Sequence, residues 1–299
     1  MKHGRRLAIV GATGMLGQAL ARLVEERHWS SSTGLFGSRD LDVRDHHAVE
    51  QVIATTAPNV VVNCAAYTDV DGAETNAVHA RSVNADGVAN LASACKPTGA
   101  FLVHISTDFV FDGGMNRPYR PTDQPNPSSV YGRTKLLGER ALAAVDCRHL
   151  IVRASWLFGS GGRNFVEAVL AQAGRAASLR VVADQVGRPT FTNDLAEAIL
   201  HLIDHGAEGV VHFANSGFCS WHQFAQVILR ESGFSGAVEP ISSVDCERRA
   251  QRPAYSVLDL SRYTELTGHV PPHWRDALVR YLRERKSYQV LRPAAASTS

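Results

Sequence analysis

The sequence predicts a doubly wound α/β fold, a parallel sheet covered by helices on both faces, and three observations carry that reading. Apolar runs of strand length recur at Leu7-Ala8-Ile9-Val10, Val60-Val61-Val62-Asn63, Phe101-Leu102-Val103-His104-Ile105 and Leu150-Ile151-Val152-Arg153. Segments with helical spacing lie between them, over 48–54, 84–94 and 128–144, and this alternation is the pattern of a parallel sheet. The first run passes directly into Gly11-Ala12-Thr13-Gly14-Met15-Leu16-Gly17 and then into an apolar stripe through Leu20, Leu23 and Val24. That order is strand, glycine turn, helix. Ligands of such sheets collect beyond the carboxyl ends of the strands, where the polar residues of this chain cluster.

Leu35-Phe36-Gly37 reads as the second strand. After about residue 160 the strict alternation loosens, with helices expected over 165–174, 194–204, 221–232 and 274–285 and short strands at Val181-Val182 and Val210-Val211-His212-Phe213. These predict a smaller lobe. The expected division is a dinucleotide-binding domain over 1–160 and a mainly substrate-binding lobe over 161–288, with room for the chain to cross back to the sheet. An Ala/Ser-rich tail over 289–299 is expected to be disordered from Pro293 onward. The lobe would cover the open end of the sheet and leave a cleft for a small molecule.

At 299 residues, 44% hydrophobic and 20% charged, the chain has room for one large or two smaller cores. Its net charge of +2 comes from interspersed charges of both signs, which leaves no nucleic-acid footprint and no membrane-binding helix. The basic start, Met1 to Arg6, precedes an apolar run broken by Gly11, Thr13 and Gly14, too early for a signal-peptide core, and no other stretch could span a bilayer. A cytoplasmic protein is expected. Cys64, Cys95, Cys147, Cys219 and Cys246 are odd in number and never in a Cys-x-x-Cys arrangement, as suits reduced thiols rather than a disulfide or zinc framework.

Glycines at 11, 14 and 17 allow a tight turn and close approach of the backbone to a pyrophosphate at a helix N-terminus. Gly11, Thr13, Gly14, Met15, Leu16 and Gly17 are the expected contacts. An acidic residue often follows the second strand in NAD enzymes, but here Ser38 and Arg39 come first. Arg39 either pairs with a ribose 2'-phosphate, favouring NADPH over NADH, or projects from an exposed loop. Asp42 and Val43 are expected on the adenine side. Ala65, Ala66 and Tyr67 would pass beneath the cofactor, or simply pack. Tyr131 and Lys135, four residues apart, fall on one helix face. A nearby ammonium would bring a phenol down from its usual pKa of about 10 toward the range of general acid catalysis; the alternative is an ordinary exposed helix face.

These segments, with Asn63-Cys64-Ala65-Ala66-Tyr67-Thr68, His104 to Gly113, Tyr131-Gly132-Arg133-Thr134-Lys135, Arg153 to Gly159, Gly162-Arg163-Asn164-Phe165, Asp184 to Thr190 and Arg252 to Asp259, resemble the extended short-chain dehydrogenase/reductases, and more narrowly the dTDP-4-dehydrorhamnose reductase family. The resemblance spans nearly the whole chain. It implies a Rossmann-type fold, a catalytic triad of Thr107, Tyr131 and Lys135, and reduction of the C4 ketone of a dTDP-linked 4-keto-6-deoxy sugar by NADPH or NADH. In the implied reaction Tyr131 supplies the proton. Lys135 would hold the nicotinamide ribose and depress the Tyr131 pKa, while Thr107 would bond the reacting oxygen or tune the tyrosine. Asp108 and Trp156 match positions that contact the sugar nucleotide, although Asp108 with Thr107 could cap a turn and Trp156 could be core. Asn164, Arg188 and Arg252 are further candidates for the substrate or its diphosphate.

Two positions depart from the family pattern. Phe109, at the expected substrate contact, stands where the family commonly has tyrosine. Ala19 replaces a glutamate that helps some relatives bind magnesium between subunits, so no metal is expected, and a homodimer is implied by the resemblance alone. The implied product is dTDP-L-rhamnose or another deoxysugar of secondary metabolism. A related dehydratase would need a glutamate at position 109, and a regulatory subunit such as that of methionine adenosyltransferase would bind dinucleotide without turnover.

Overall fold

The computed structural model describes residues 4–175 and 178–291. In chain order the elements are β1 (Arg6–Val10), α1 (Met15–Glu26), β2 (Ser32–Phe36), α2 (His46–Thr56), β3 (Val60–Asn63), α3 (Val70–Thr75) and α4 (Ala77–Arg81). A π-wound turn (Ser82–Asp86) leads into α5 (Gly87–Thr98), β4 (Phe101–Thr107), α6 (Val130–Val145), β5 (His149–Ala154), β6 (Leu157–Phe158), α7 (Phe165–Ala173) and β7 (Ser178–Val182). The chain continues through β8 (Val186–Gly187), β9 (Thr190–Phe191), α8 (Thr192–Asp204), β10 (Gly209–His212), β11 (Cys219–Ser220), α9 (Trp221–Ser232), β12 (Ala237–Ile241), α10 (Ser261–Thr267) and α11 (Trp274–Leu291).

Six strands form a parallel sheet in the order β10-β5-β4-β3-β1-β2. Its strands are apolar on both faces because both faces are covered. Leu7, Ile9, Val62, Val103 and Val152 meet Leu16 and Leu20 of α1 and Leu195, Ile199 and Leu202 of α8. The alternate residues Ala8, Val10, Val61, Leu102 and Ile151 meet Val49 and Ile53 of α2, Val88 and Leu91 of α5 and Leu142 of α6. Each buried aliphatic side chain contributes about 1.5–3 kcal/mol, so the strand register is fixed from both sides.

The second lobe packs Phe158, Val166, Leu179, Phe191, Phe224, Ile228, Trp274 and Tyr281 into a separate cluster, with β7 and β12 paired in parallel on its flank. The chain does cross back to the sheet. Val210-Val211 belongs to the central sheet rather than to the lobe, since β10 pairs with β5 through Val210 opposite Ile151 and Val211 opposite Val152. The chain leaves the sheet after β5, returns with α8 and β10, and leaves again. Helix α11 extends to Leu291 and so covers the start of the segment read as a tail; residues 293–299 lie outside the described residues. Among the described residues no helix is long and apolar enough to cross a membrane.

Five of the helices begin on a side-chain cap. Asp45 accepts from Ala48 N, Asp69 from Gly72 N, Ser129 from Gly132 N and Asn164 from Glu167 N, and Ser220 with Gln223 forms a full capping box. Helix α1 differs. Its N-cap is Gly14, which supplies no side-chain bond, so the first-turn N–H groups are left for something else.

Candidate active site

The carboxyl ends of β1, β3, β4 and β5 open into two contiguous cavities of about 960 Å³ and about 570 Å³. The larger is lined by Gly14, Met15, Leu16 and Gly17 on one side and by Cys64, Ala66, Tyr131 and Lys135 on the other. Gly11 has φ +77°, and a Cβ at Gly17 would stand 2.3 Å from the Gly11 carbonyl oxygen. The turn therefore closes against the helix only because both positions lack a side chain. A bare helix N-terminus over a cradle of this kind fits the pyrophosphate of a dinucleotide.

Of the residues expected at a cofactor, Gly14, Met15, Leu16, Gly17, Ala66, Tyr131 and Lys135 line this cavity. Gly11, Thr13, Ala65 and Tyr67 belong to the two loops that frame it. Arg39, Asp42 and Val43 lie beyond the end of β2, outside the cavity wall. Arg39 is exposed. The carboxylate of Asp42 is held below its usual range by the Arg44 guanidinium, bonded at 2.6 Å, and Val43 is core.

Tyr131 and Lys135 sit on α6 as their spacing requires. The N-terminus of α6 is pressed onto the turn after β4, for a Cβ at Gly132 would lie 2.2 Å from the Phe109 carbonyl oxygen. This brings the phenol beside Thr107, whose hydroxyl acts to lower its pKa, and into an edge-on contact with the Phe109 ring, centroids 5.5 Å apart. Burial of the phenol pushes the Tyr131 pKa up to about 12, opposite to the depression expected from Lys135. The ammonium is turned away from it: Lys135 Nζ donates to the Ile105 carbonyl at 2.6 Å and lies 3.3 Å from His104 Nε2. Burial draws Lys135 down to about 8, against an opposing pull from Glu139. Glu139, one turn further along α6, is itself bound by Arg153 of β5 through Nη2–Oε2 at 2.6 Å and Nε–Oε1 at 2.9 Å.

The smaller cavity is lined by Thr107, Asp108, Phe109, Trp156 and Arg252, all expected there, and by Arg163, Phe165, Trp221 and Arg248, which were not. Asp108 is buried and pushed up to about 6 by desolvation, with the Ser256 and Thr107 hydroxyls pulling the other way. Trp156 takes a left-handed φ of +48° and stacks face to face on Trp221, centroids 3.4 Å apart. Arg252 is bidentate to Asp71, with Nη2 2.7 Å from Oδ2, which joins the loop before α10 to α3. Asn164 lines the larger cavity and caps α7 while donating to the Gly159 carbonyl.

Arg188 stands elsewhere. Its guanidinium donates to the carbonyls of Leu258 at 2.9 Å and Gly217 at 2.8 Å, beside a separate hollow with Pro118 and Leu260. Asn84, also unanticipated, sits in the π-wound turn and grips the cofactor-side loop, accepting from Tyr67 N at 2.8 Å and donating to Tyr67 O and Thr134 Oγ1 at 3.1 Å each. Only the general tendency of π-turns to mark functional positions could have pointed to it.

The chain is similar to known proteins over nearly its whole length. The model of the RmlD substrate binding domain family matches residues 5–287. A dTDP-4-dehydrorhamnose reductase of Mycobacterium tuberculosis is 43% identical over 286 residues, 92% of each chain. The spore coat polysaccharide biosynthesis protein SpsK of Bacillus subtilis is 39% identical over 94% of this chain and 98% of its own. Among solved structures, dTDP-4-dehydrorhamnose reductase from Bacillus anthracis in complex with NADP superposes with a TM-score of 0.90 at 35% identity, over 94% of this chain and 99% of that one.

Proposed function

The chain belongs to the dTDP-4-dehydrorhamnose reductase family, and from that premise we propose that it reduces the C4 ketone of dTDP-4-dehydro-L-rhamnose to give dTDP-L-rhamnose. The observation that carries the reading is Tyr131 on the wall shared by the larger cavity and an aromatic, arginine-rimmed one, with Lys135 lining the first and Thr107 the second. A reduced nicotinamide held in the larger cavity by the glycine turn and Lys135 would supply the hydride that the carbonyl carbon takes up. Tyr131 donates the proton that the oxygen takes up, so ketone, hydride and proton balance to an alcohol.

A phenol with a pKa of about 12 is fully protonated at neutral pH and is ready to give its proton to an alkoxide. Thr107 Oγ1, which already accepts from Phe109 N at 3.2 Å, orients the phenol. The bare N-terminus of α1 and the glycine turn fit the pyrophosphate. Arg163, Arg248 and Arg252, which line both cavities, fit the diphosphate of the sugar nucleotide, and Trp156, Trp221 and Phe165 fit its flat or apolar faces. Asp108, Phe109 and Asn164 complete the wall, and the Arg188 contacts give it a structural role outside the substrate site.

NADPH is the favoured coenzyme over NADH. The carboxylate of Asp40, the first acidic group after β2, is taken up by Gly37 N at 2.8 Å, and Arg39 beside it is exposed to meet a 2'-phosphate. The five free cysteines suit a cytoplasmic enzyme. The homodimer rests on family resemblance. Phe109, presenting no hydroxyl to the sugar, also suits a different dTDP-4-keto-6-deoxy sugar. The test is oxidation of NADPH across a panel of such sugars, by the natural chain and by Tyr131→Phe. The proposal expects turnover lost in the variant while NADPH still binds; undiminished turnover in Tyr131→Phe would remove the phenol from the chemistry.

A further inference from the structure

Behind Lys135 a buried polar chain runs back to the loop under the cofactor cavity. His104, Asn63 and Lys135 are each no more than 2% exposed. His104 Nε2 lies 3.3 Å from Lys135 Nζ, His104 Nδ1 lies 3.2 Å from Asn63 Nδ2, and Asn63 Oδ1 accepts from Ala65 N at 3.0 Å. The backbone N–H of Ala65 can only donate, so it fixes Oδ1 of Asn63 toward itself and turns Nδ2 toward His104. Because that NH₂ group also can only donate, Nδ1 of His104 must be the acceptor. Burial holds His104 neutral, its pKa well below the usual value. A neutral imidazole with an accepting Nδ1 carries its proton on Nε2, pointed at the Lys135 nitrogen.

An Nε2–H facing an ammonium sets donor against donor, whereas the lone pair of a neutral amine accepts it. Every member of the chain is satisfied only when Lys135 is uncharged; otherwise either Ala65 N–H or the His104–Lys135 contact is left unmade in a site closed to water. We infer that His104 is a positioning residue that tunes the proton affinity of Lys135: its Nε2–H, aimed by Asn63 and Ala65, weakens the hold of Lys135 on its proton while the cleft is empty, so that filling the cleft is linked to uptake of a proton at Lys135. The inference deepens the reductase reading and rests on it for the identity of what fills the cleft.

The other titratable groups around Lys135 are Cys64 after β3 and, on its own helix, Tyr131 and Glu139. Glu139 favours the ammonium but is bound by Arg153. Cys64 is pushed up to about 12 by burial and stays a thiol. Tyr131 stays a phenol, and Asp108 acts on it rather than on the lysine. His104 is therefore the neighbour that opposes the charge.

The chain has four lysines, Lys2, Lys96, Lys135 and Lys286, so ε-¹³C lysine labelling gives a spectrum in which Lys135 can be titrated in the empty protein. The expected midpoint is about 8, rising by about one pH unit or more in His104→Phe, a tenfold or greater gain in proton affinity. His104→Gln restores the natural midpoint, because its amide can accept from Asn63 and donate to Lys135. The alkaline limb of kcat/KM moves with the midpoint. An unmoved midpoint in a folded His104→Phe overturns the inference. Imidazole ¹⁵N shifts of the unsubstituted protein give a test without mutation: protonated Nε2 is expected, and protonated Nδ1 overturns it. These readouts need no turnover, so failure of the reductase reading would show separately, as absent NADPH oxidation in a protein whose lysine titrates as described.

Discussion

Replacing Gly132 by alanine separates placement of the catalytic phenol from stability of the fold. The added Cβ would sit 2.2 Å from the Phe109 carbonyl oxygen and 3.0 Å from the Pro127 side chain. Backbone carbonyls do not swing aside, so the N-terminus of α6 must lift. Reaching even a short C···O contact of about 3.3 Å takes a shift of about 1 Å. Tyr131 is the preceding residue and moves with it, away from Thr107. A displacement of that size costs about 100-fold in rate. Overpacking costs about 1–3 kcal/mol, while alanine gains about 1 kcal/mol over glycine within a helix, so stability falls by only about 0–2 kcal/mol. Steady-state kinetics with NADPH and the keto sugar, beside a urea titration, reads both quantities. Natural kcat/KM in a folded Gly132→Ala would refute the claim that this contact positions Tyr131.

Other consequences follow from the same geometry. Tyr131→Phe lowers kcat by about 10²–10⁴-fold with NADPH affinity changed less than a few-fold, read by initial rates and fluorescence titration. Arg153→Met leaves Glu139, 5% exposed, as an unpaired buried charge and costs about 3–5 kcal/mol, most of which Arg153→Met with Glu139→Leu regains; a urea series in which the double variant is no better than the single would count against the pair. His212 is buried and neutral with its pKa depressed to about 3. The unfolded chain takes up that proton at about 6.5, so stability present above pH 6.5 is lost as the pH falls toward 3, by about 2 kcal/mol between 6.5 and 5. His212→Gln should flatten that slope, and an equal slope in both proteins would show that other groups set it. Trp221→Leu removes the stack on Trp156, raises KM for the sugar nucleotide more than it lowers kcat, and abolishes the far-ultraviolet exciton couplet expected of rings 3.4 Å apart; a persisting couplet would contradict the stacked geometry.

The sheet and the catalytic helix were legible because both rest on local periodicity. Four apolar runs and the glycine turn located β1, β3, β4, β5 and the start of α1, and a four-residue spacing located Tyr131 and Lys135. What was hidden is long-range. Nothing local distinguishes the arginine that lines the cleft, Arg252, from Arg188, whose guanidinium folds back onto two carbonyls. Trp221 reads as the first turn of an amphipathic helix until the fold sets it against Trp156, 65 positions earlier in the chain. Asn84 acts only through Tyr67 and Thr134, 17 and 50 residues away. The Tyr131 pKa ran against expectation because spacing fixes which face Lys135 occupies but not where its nitrogen points, and that nitrogen points to β4.

The central claim is that this cleft delivers a proton through Tyr131 to a sugar-nucleotide ketone as the ketone is reduced. The most direct measurement mixes the purified protein with NADPH and dTDP-4-dehydro-L-rhamnose, follows the nicotinamide absorbance and identifies the product. The account predicts stoichiometric oxidation with dTDP-L-rhamnose appearing. Tight NADPH binding with no oxidation of this or any other dTDP-4-keto-6-deoxy sugar would contradict it.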